Sequence, residues 1–391
     1  MPQLSASSLR IRPGVFAQLQ AKIDARQREG LTILPLHIGD TCVPPPKEAA
    51  LGAITFSDAE AYRYGPTAGL PLLRDAIVRR LARAHGRTGV DAAAEVHVGV
   101  GGTHAFFTAA RAVLGEGDEV ILATPYWPLA PGVFAAAGAR TVEANLSTVA
   151  LREGTVDIRA RLLEKLTPQT RALYFGSPNN PDGKLWSEAE LAAFVAFAEE
   201  HDLWLFADEV YADIVYQGRY VPTATLPGAL ARTITIHSLS KSHALAGYRI
   251  GYVVAPAEVV AQARRVSTHA GFNVPVVLQK AAAAALDHGD AWSLAARETY
   301  RSARRASMER LDAHRLPFVT GEGGTYHFLD CSSLVGAGGL TELLARALDA
   351  GVLLAPGDAF GADYGSWARI CFTSAPIADV LDGIDRIASL R

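Results

Sequence analysis

The sequence predicts an α/β chain: a mostly parallel central sheet with helices on both faces, plus a smaller α+β domain. Three observations carry this reading. Apolar runs of four or five residues recur through the middle of the chain, amphipathic stretches of helical spacing separate them, and the rhythm changes after about residue 290. Short runs that stay apolar rather than alternating are the mark of strands buried on both faces, and alternation of strand with helix is the pattern of βαβ units.

The runs lie at 96–100, 120–123, 171–175, 203–207 and 233–236. Helices are predicted between them at 105–114, 130–137, 158–166 and 188–200; in the last, Leu191, Phe194, Val195 and Phe197 fall on one face. The alanine-rich stretch 281–286 also reads as helix, because alanine has the best intrinsic propensity. Beyond it an arginine-rich helix at 291–311 precedes strand-like segments at 318–331, 352–354 and 368–373. One helix-like piece at 13–28 precedes the Pro44-Pro45-Pro46 stop. The segment up to Pro46 is expected to pack on the C-terminal lobe, which gives a large domain at 47–290 and a small domain made of 1–46 and 291–391.

Composition narrows the function. With 391 residues, 49% hydrophobic and 20% charged, the chain can bury a core and is neither disordered nor collagen-like. A net charge of −3 gives no reason to expect nucleic acid or an anionic membrane as partner, and no apolar run reaches the roughly 18 residues of a membrane span. Cys42, Cys331 and Cys371 form neither a disulfide framework nor a zinc-spaced set, so no metal is expected. The expectation is a soluble, unprocessed cytoplasmic protein acting on a small molecule.

Ligands of open α/β sheets bind outside the carboxyl ends of the strands, so the residues that follow each run are the informative ones. Gly101-Gly102-Thr103 follows the first and opens a helix, a place for phosphate. Thr124-Pro125-Tyr126-Trp127-Pro128 follows the second with an aromatic face. Ser177-Pro178-Asn179-Asn180-Pro181-Asp182-Gly183 follows the third with amide side chains. Asp208, with Tyr211 three residues on, follows the fourth, and Ser238, Ser240, Lys241 and Gly247-Tyr248-Arg249 follow the fifth. Phosphate cradle, stacking aromatic, amide, carboxylate, phenol, lysine and arginine together suit pyridoxal phosphate. That cofactor needs an amine to bond its aldehyde, a carboxylate for its pyridine nitrogen, and donors for its phenolic oxygen and phosphate.

From roughly Leu36 to Phe372 the chain resembles the fold type I pyridoxal-phosphate enzymes of the aspartate aminotransferase family, in the class I and II group. The resemblance rests on Tyr64-Gly65-Pro66-Thr67-Ala68-Gly69-Leu70-Pro71, Asn180-Pro181-Asp182-Gly183, Asp208-Glu209-Val210-Tyr211, Ser238-Leu239-Ser240-Lys241 with Gly247-Tyr248-Arg249-Ile250-Gly251, Pro356-Gly357-Asp358-Ala359-Phe360-Gly361 and Arg369-Ile370. It implies an aminotransferase that moves the amino group of an L-amino acid to a 2-oxo acid. Lys241 is then the Schiff-base lysine that shifts a proton between the substrate α-carbon and the cofactor's C4′. Asp208 pairs with the pyridinium nitrogen, Asn180 and Tyr211 donate to the phenolic oxygen, and Trp127 stacks on the ring. Gly102, Thr103, Ser238 and Arg249 hold the phosphate, with Gly101 contributing backbone and Tyr64 arriving from the other subunit of a homodimer. Arg369 grips the substrate α-carboxylate while the Gly39 backbone lines the substrate loop.

Phe16, His37, Thr41, Tyr326 and His327 are pocket neighbours by the same analogy. Gly101 stands where the family commonly has a hydroxyl residue, Asp182 where it often has threonine, and His104 and His243 are unusual beside the phosphate loop and the lysine. A nicotinamide-dependent oxidoreductase is disfavoured because the third fingerprint glycine is His104. A ligand-sensing regulator is disfavoured because residues 1–46 are too short and too weakly basic for a DNA-binding module. The alternative that keeps the cofactor is a carbon–sulfur β-lyase, or a β/γ-replacement or cyclising synthase, which shares the lysine, aspartate and arginine.

Overall fold

In the computed structural model, which describes residues 4, 6–11, 20–53 and 59–391, the five predicted runs all form strands of one sheet. These are β1 (Val96–Val100), β2 (Glu119–Thr124), β4 (Thr170–Gly176), β5 (Trp204–Asp208) and β6 (Thr233–Ser238). Two further strands join them, β3 (Arg140–Asn145) and β7 (Ile250–Val254), in the order β1-β7-β6-β5-β4-β2-β3. β2 to β6 pair in parallel, whereas β7 runs antiparallel to both β1 and β6. β3 escaped the sequence reading because it is an edge strand, half-exposed and mixed in polarity. β7 is wholly buried, but its Ile-Gly-Tyr-Val-Val run continues the glycine-rich motif and was read as part of it.

Burial on both faces follows from the alternation along each strand. In β4, Ala172 and Tyr174 pack on one side with helices Gly101–Val113, Ala130–Ala136 and Ala257–Ala270, through Phe106, Phe134 and Val260. Leu173 and Phe175 pack on the other side with helices Ile158–Leu163 and Glu188–Glu200, through Leu162, Leu191 and Phe194.

A second, antiparallel sheet carries β8 (Phe318–Val319), β9 (Tyr326–Asp330), β10 (Ala355–Pro356) and β11 (Trp367–Cys371) in the order β10-β11-β9-β8. The predicted run 318–331 is thus a hairpin whose turn holds Gly321, Gly323 and Gly324. The expected strand 352–354 is instead one parallel bridge, Val352 to Leu34. Val352 spends its pairing on the incoming N-terminal segment: Leu34 and Leu36 bury beside Val352, Leu354, Ile370 and Phe372, and Cys371 N–H donates to Leu36 O at 2.7 Å. The long arginine-rich helix spans Asp290–Ala313. Of the helix predicted at 13–28, Gln20–Arg28 is helical and residues 12–19 lie outside the described residues.

The end of the sheet that matters is shaped by a close backbone approach. Gly99 and Gly251 are register partners on β1 and β7, and a Cβ built on Gly251 would land on Gly102 N and on the Gly101 carbonyl carbon. Only glycine lets the first turn of helix Gly101–Val113 lie directly on β7. Gly251→Ala is therefore expected to destabilise the fold by about 2–3 kcal/mol, since backbone rather than a flexible side chain must yield. Gly247→Ala, whose added methyl meets nothing within 4 Å, should change stability by under about 0.5 kcal/mol. Chemical denaturation of the two variants beside the parent checks the contrast; equal losses would refute it.

Candidate active site

A cavity of about 210 Å³ opens at the carboxyl ends of the parallel strands, lined among others by Gly102, Thr103, Trp127, Asn180, Asp208, Tyr211, Ser238, Lys241 and Arg249. One end is an anion cradle. Helix Gly101–Val113 starts directly after β1 with no side chain capping it, so the N–H groups that follow Gly101 in its first turn are left for a ligand. Gly101 holds a left-handed φ of +77° and donates its N–H to Arg249 O at 2.7 Å; its missing Cβ leaves the place where Arg249 Nη2 lies, 2.5 Å from the position a Cβ would take. Ser238, at the carboxyl end of β6, borders the same space, its Oγ accepting from Ser240 N–H at 3.2 Å. Uncapped N–H groups, hydroxyls and a guanidinium are the donor set a phosphate requires.

The middle of the cavity is built on β4 and β5. Gly176 is the register partner of Asp208, and two residues back Tyr174 donates its hydroxyl to Asp208 Oδ2 at 2.8 Å. Among the described residues no cation pairs with Asp208, whose other oxygen accepts only Val210 N–H at 3.3 Å. Enclosure by protein raises the Asp208 carboxyl to about 6, against the pull of the Tyr174 hydrogen bond. A carboxylate held at a cavity wall without a cation is suited to a protonated ring nitrogen. Above it Trp127 lies tilted at 38° to Phe106, with centroids 6.5 Å apart.

At the far end, Lys241 Nζ donates to the Gly39 carbonyl. Arg369 on β11 donates through Nη1 to Asn180 Oδ1 at 2.9 Å and through Nη2 to His37 O at 2.6 Å. Its guanidinium lies 4.1 Å from the Tyr326 ring centroid and 5.0 Å from that of Phe360. Among the described residues, Arg369 Nε is buried with no acceptor, a donor left over for an acid group. Tyr211 and Tyr326 share a hydroxyl contact of 2.6 Å. Burial and the neighbouring Arg369 lower His37 to about 4, so it is neutral and adds no charge.

Most of the sequence-predicted residues line this cavity; Gly101, Gly39 and Arg369 do not, but bond to Arg249, Lys241 and Asn180, which do. Tyr64 is 86% exposed, rests edge-on against Phe272 and does not line the cavity of its own chain. His104 and His243 do not line it either: His104 Nδ1 accepts from Val100 N–H, and His243 Nδ1 pairs with Ser242 Oγ. Of the pocket neighbours, His37 and Tyr326 touch Arg369, Thr41 pairs with Tyr300 at 2.7 Å, His327 is buried against Ser307, and Phe16 lies outside the described residues. Asp182 is fully buried and takes hydrogen bonds from Ser147, Thr148 and Asn179. Tyr174 and Phe106 were missed. Their signal is strand and helix periodicity: Tyr174 shares a sheet face with Gly176, and Phe106 follows the phosphate turn by one helical turn.

Comparison with known proteins agrees with this geometry. The profile of the family described as aminotransferase class I and II matches residues 32–387. An aspartate/prephenate aminotransferase of Thermus thermophilus is 33% identical over 93% of this chain and 92% of its own length. An arginine–pyruvate transaminase of Pseudomonas aeruginosa is 34% identical over 88% of this chain and 87% of its own. Among solved structures, the aspartate aminotransferase from Thermus thermophilus with maleate superposes with a TM-score of 0.91 at 30% identity, over 100% of each chain.

The raised Asp208 carboxyl fixes the sign of a stability effect. A folded-state value near 6, above that of the unfolded chain, means the cofactor-free protein loses stability as pH rises from about 4 to 6. Asp208→Asn escapes that loss, so its stability relative to the parent should rise over this window and level off above it. The gain should be on the order of 1–3 kcal/mol, tempered because one side of the group faces the cavity. Denaturation at pH 4, 5, 6 and 8 checks this; a difference independent of pH would contradict it.

Proposed function

We propose the following roles on the premise that the chain belongs to the class I and II aminotransferase family, over residues 32–387. It is a pyridoxal-phosphate-dependent aminotransferase that moves the amino group of an amino acid to a 2-oxo acid. The lyase or synthase alternative is not favoured, because the relatives are named as aminotransferases.

Bound in the cavity, pyridoxal phosphate supplies an aldehyde carbon that bonds an amine and a ring that withdraws electrons from the substrate α-carbon. The first turn of helix Gly101–Val113, with Gly101, Gly102, Thr103, Ser238 and Arg249, holds the phosphate. Trp127 covers the ring and Asp208 pairs with its nitrogen. Asn180 spends its Oδ1 on Arg369, which leaves its amide N–H groups for the phenolic oxygen, where Tyr211 joins them. Lys241 would supply the amine that bonds the cofactor aldehyde at rest and, freed from it, would be the base that moves the proton of the substrate Cα. Arg369 grips the substrate α-carboxylate, with the Gly39 backbone beside it. The observation that carries this reading is that Lys241 and Asp208 line one cavity while Asn180 ties Arg369 to its rim.

The substrates are an L-amino acid and a 2-oxo acid. We further assign a large domain of 47–290, a small domain of 1–46 with 291–391, a cytoplasmic homodimer, and Tyr64 as a donor to the phosphate in the partner's site. Its 86% exposure supports that last role. No described helix is long and apolar enough to cross a membrane.

Lys241→Ala should fold, keep noncovalent cofactor binding and lose about three orders of magnitude or more in turnover. Arg369→Ala should raise KM for amino and oxo acids about ten- to hundredfold with a smaller change in kcat. Unimpaired turnover in the first, or an unchanged KM in the second, would overturn these roles. For the shared site, Tyr64→Ala and Lys241→Ala chains co-refolded together should regain activity, because half the sites of a mixed dimer hold both native residues. No recovery would place Tyr64 in its own chain's site or outside it.

A further inference from the structure

Among the described residues, the Tyr174 hydroxyl has one hydrogen-bond partner, Asp208 Oδ2 at 2.8 Å. Everything else about Tyr174 restricts it to that act. The side chain is 1% exposed, its ring stacks on Phe106 at 5.6 Å with an interplanar angle of 8°, and Phe134 meets it edge-on at 5.9 Å. These rings fix the hydroxyl in place. Burial and the Asp208 charge hold the phenol well above its usual range, so it stays neutral and, facing a carboxylate, donates.

The register explains the pairing. Tyr174 and Gly176 share one face of β4, Gly176 is opposite Asp208, and Tyr174 reaches diagonally across to it; a Cβ on Gly176 would strike Asn179 of the amide loop. With Oδ2 taken by Tyr174, the carboxylate is fixed in one rotamer. Enclosure by protein opposes its charge, and Tyr174 is the strongest counterweight this chain supplies.

We propose that Tyr174 is a positioning residue for the transamination reaction: its hydroxyl orients Asp208 and keeps it ionised toward the ring nitrogen of the cofactor. The inference rests on the assignment of Asp208 to that nitrogen. Tyr174 lines the cavity beside Asp208, and the role assigned to it runs through its hydroxyl's bond to that carboxylate rather than through the substrate. Its effect runs through Asp208, because an ionised Asp208 keeps the ring nitrogen protonated and a neutral one does not. The titratable groups around Asp208 are few. Glu209 lies behind it in sequence and opposes its ionisation. Tyr211, Lys241 and Arg249 share the cavity, and helix Gly101–Val113 contributes only Gly102, Thr103 and Phe106 to the lining.

The test is Tyr174→Phe, which keeps the ring and its packing, examined with Asp208→Asn and the double variant, each loaded with pyridoxal phosphate. The readouts are the cofactor dissociation constant, the absorption spectrum as a function of pH, and the pH profile of kcat. Tyr174→Phe should weaken cofactor binding about tenfold and shift the acid limb of the kcat profile up by about one pH unit. KM should change by less than about twofold, since no substrate contact is lost. In the Asp208→Asn background the same substitution should change cofactor affinity by less than about twofold, because the group it acts through is gone.

If Asp208→Asn alters binding and spectrum while Tyr174→Phe leaves affinity and the acid limb unmoved, Tyr174 is packing and the inference fails alone. An equal loss in both backgrounds overturns it too. If Asp208→Asn itself changes nothing, the assignment of Asp208 falls and takes this inference with it. Should Tyr174→Phe not fold, Tyr174→3-fluorotyrosine keeps the shape and strengthens the donor. The acid limb must then move down, and an unmoved limb overturns the proposal.

Discussion

Holding the Asp208 carboxylate in an enclosed cavity without a cation is the constraint on which the rest of the site depends. Desolvation disfavours the charge, and the chain answers it with one phenol and one backbone N–H. Those donors exist only if β4 and β5 keep their register, if Tyr174 is pinned between Phe106 and Phe134, and if helix Gly101–Val113 lies close over the sheet. That last condition needs Gly99 and Gly251, since a methyl on Gly251 would strike the backbone at Gly102. A carboxylate enclosed this way without a cation costs stability in the empty cavity.

Two arginines flank this region: Arg249 beside the Gly101 turn and lining the cavity with Lys241 and Asp208, and Arg369 on β11, tied to it through Asn180. Arg249 sits in the turn before β7 of the first sheet and Arg369 on β11 of the second, so they meet only where the second sheet packs against the first. Several contacts tie that meeting: Arg369 to Asn180 and to His37 O, Lys241 to Gly39 O, and Leu36 to Cys371. The N-terminal segment, which carries His37 and Gly39, thus belongs to the site although it is remote from Lys241 in sequence. Among the described residues, Arg369 keeps one buried N–H without a protein acceptor, beside two aromatic rings. Such a place rewards an acid group.

Much of this was legible in the sequence, for identifiable reasons. Strands buried on both faces must be apolar throughout, so β1, β2, β4, β5 and β6 announce themselves, and strand ends are where α/β ligands bind. That rule alone brought Gly102, Trp127, Asn180, Asp208 and Lys241 together. β3 was hidden because an edge strand needs no apolar run. The 352–354 segment misled because apolar content does not say whether a strand has a partner, and Val352 has only Leu34. Tyr174 was invisible as a site residue since an aromatic in a buried strand reads as core; its function depends on one hydroxyl and the register of the next strand, which the sequence does not carry. Tyr64 shows the opposite limit, because in one chain it is simply an exposed tyrosine against Phe272, and a single chain does not show what its hydroxyl would face in a dimer.

The chain has six lysines, Lys22, Lys47, Lys165, Lys184, Lys241 and Lys280, which makes the central claim open to one direct measurement. The protein loaded with pyridoxal phosphate would be reduced with borohydride, digested, and searched by mass spectrometry for the lysine that carries the reduced cofactor. The expected result is stoichiometric labelling of Lys241 and no other lysine. Labelling of a different lysine, or none despite saturating cofactor, would contradict the placement of the cofactor at the carboxyl ends of the parallel strands.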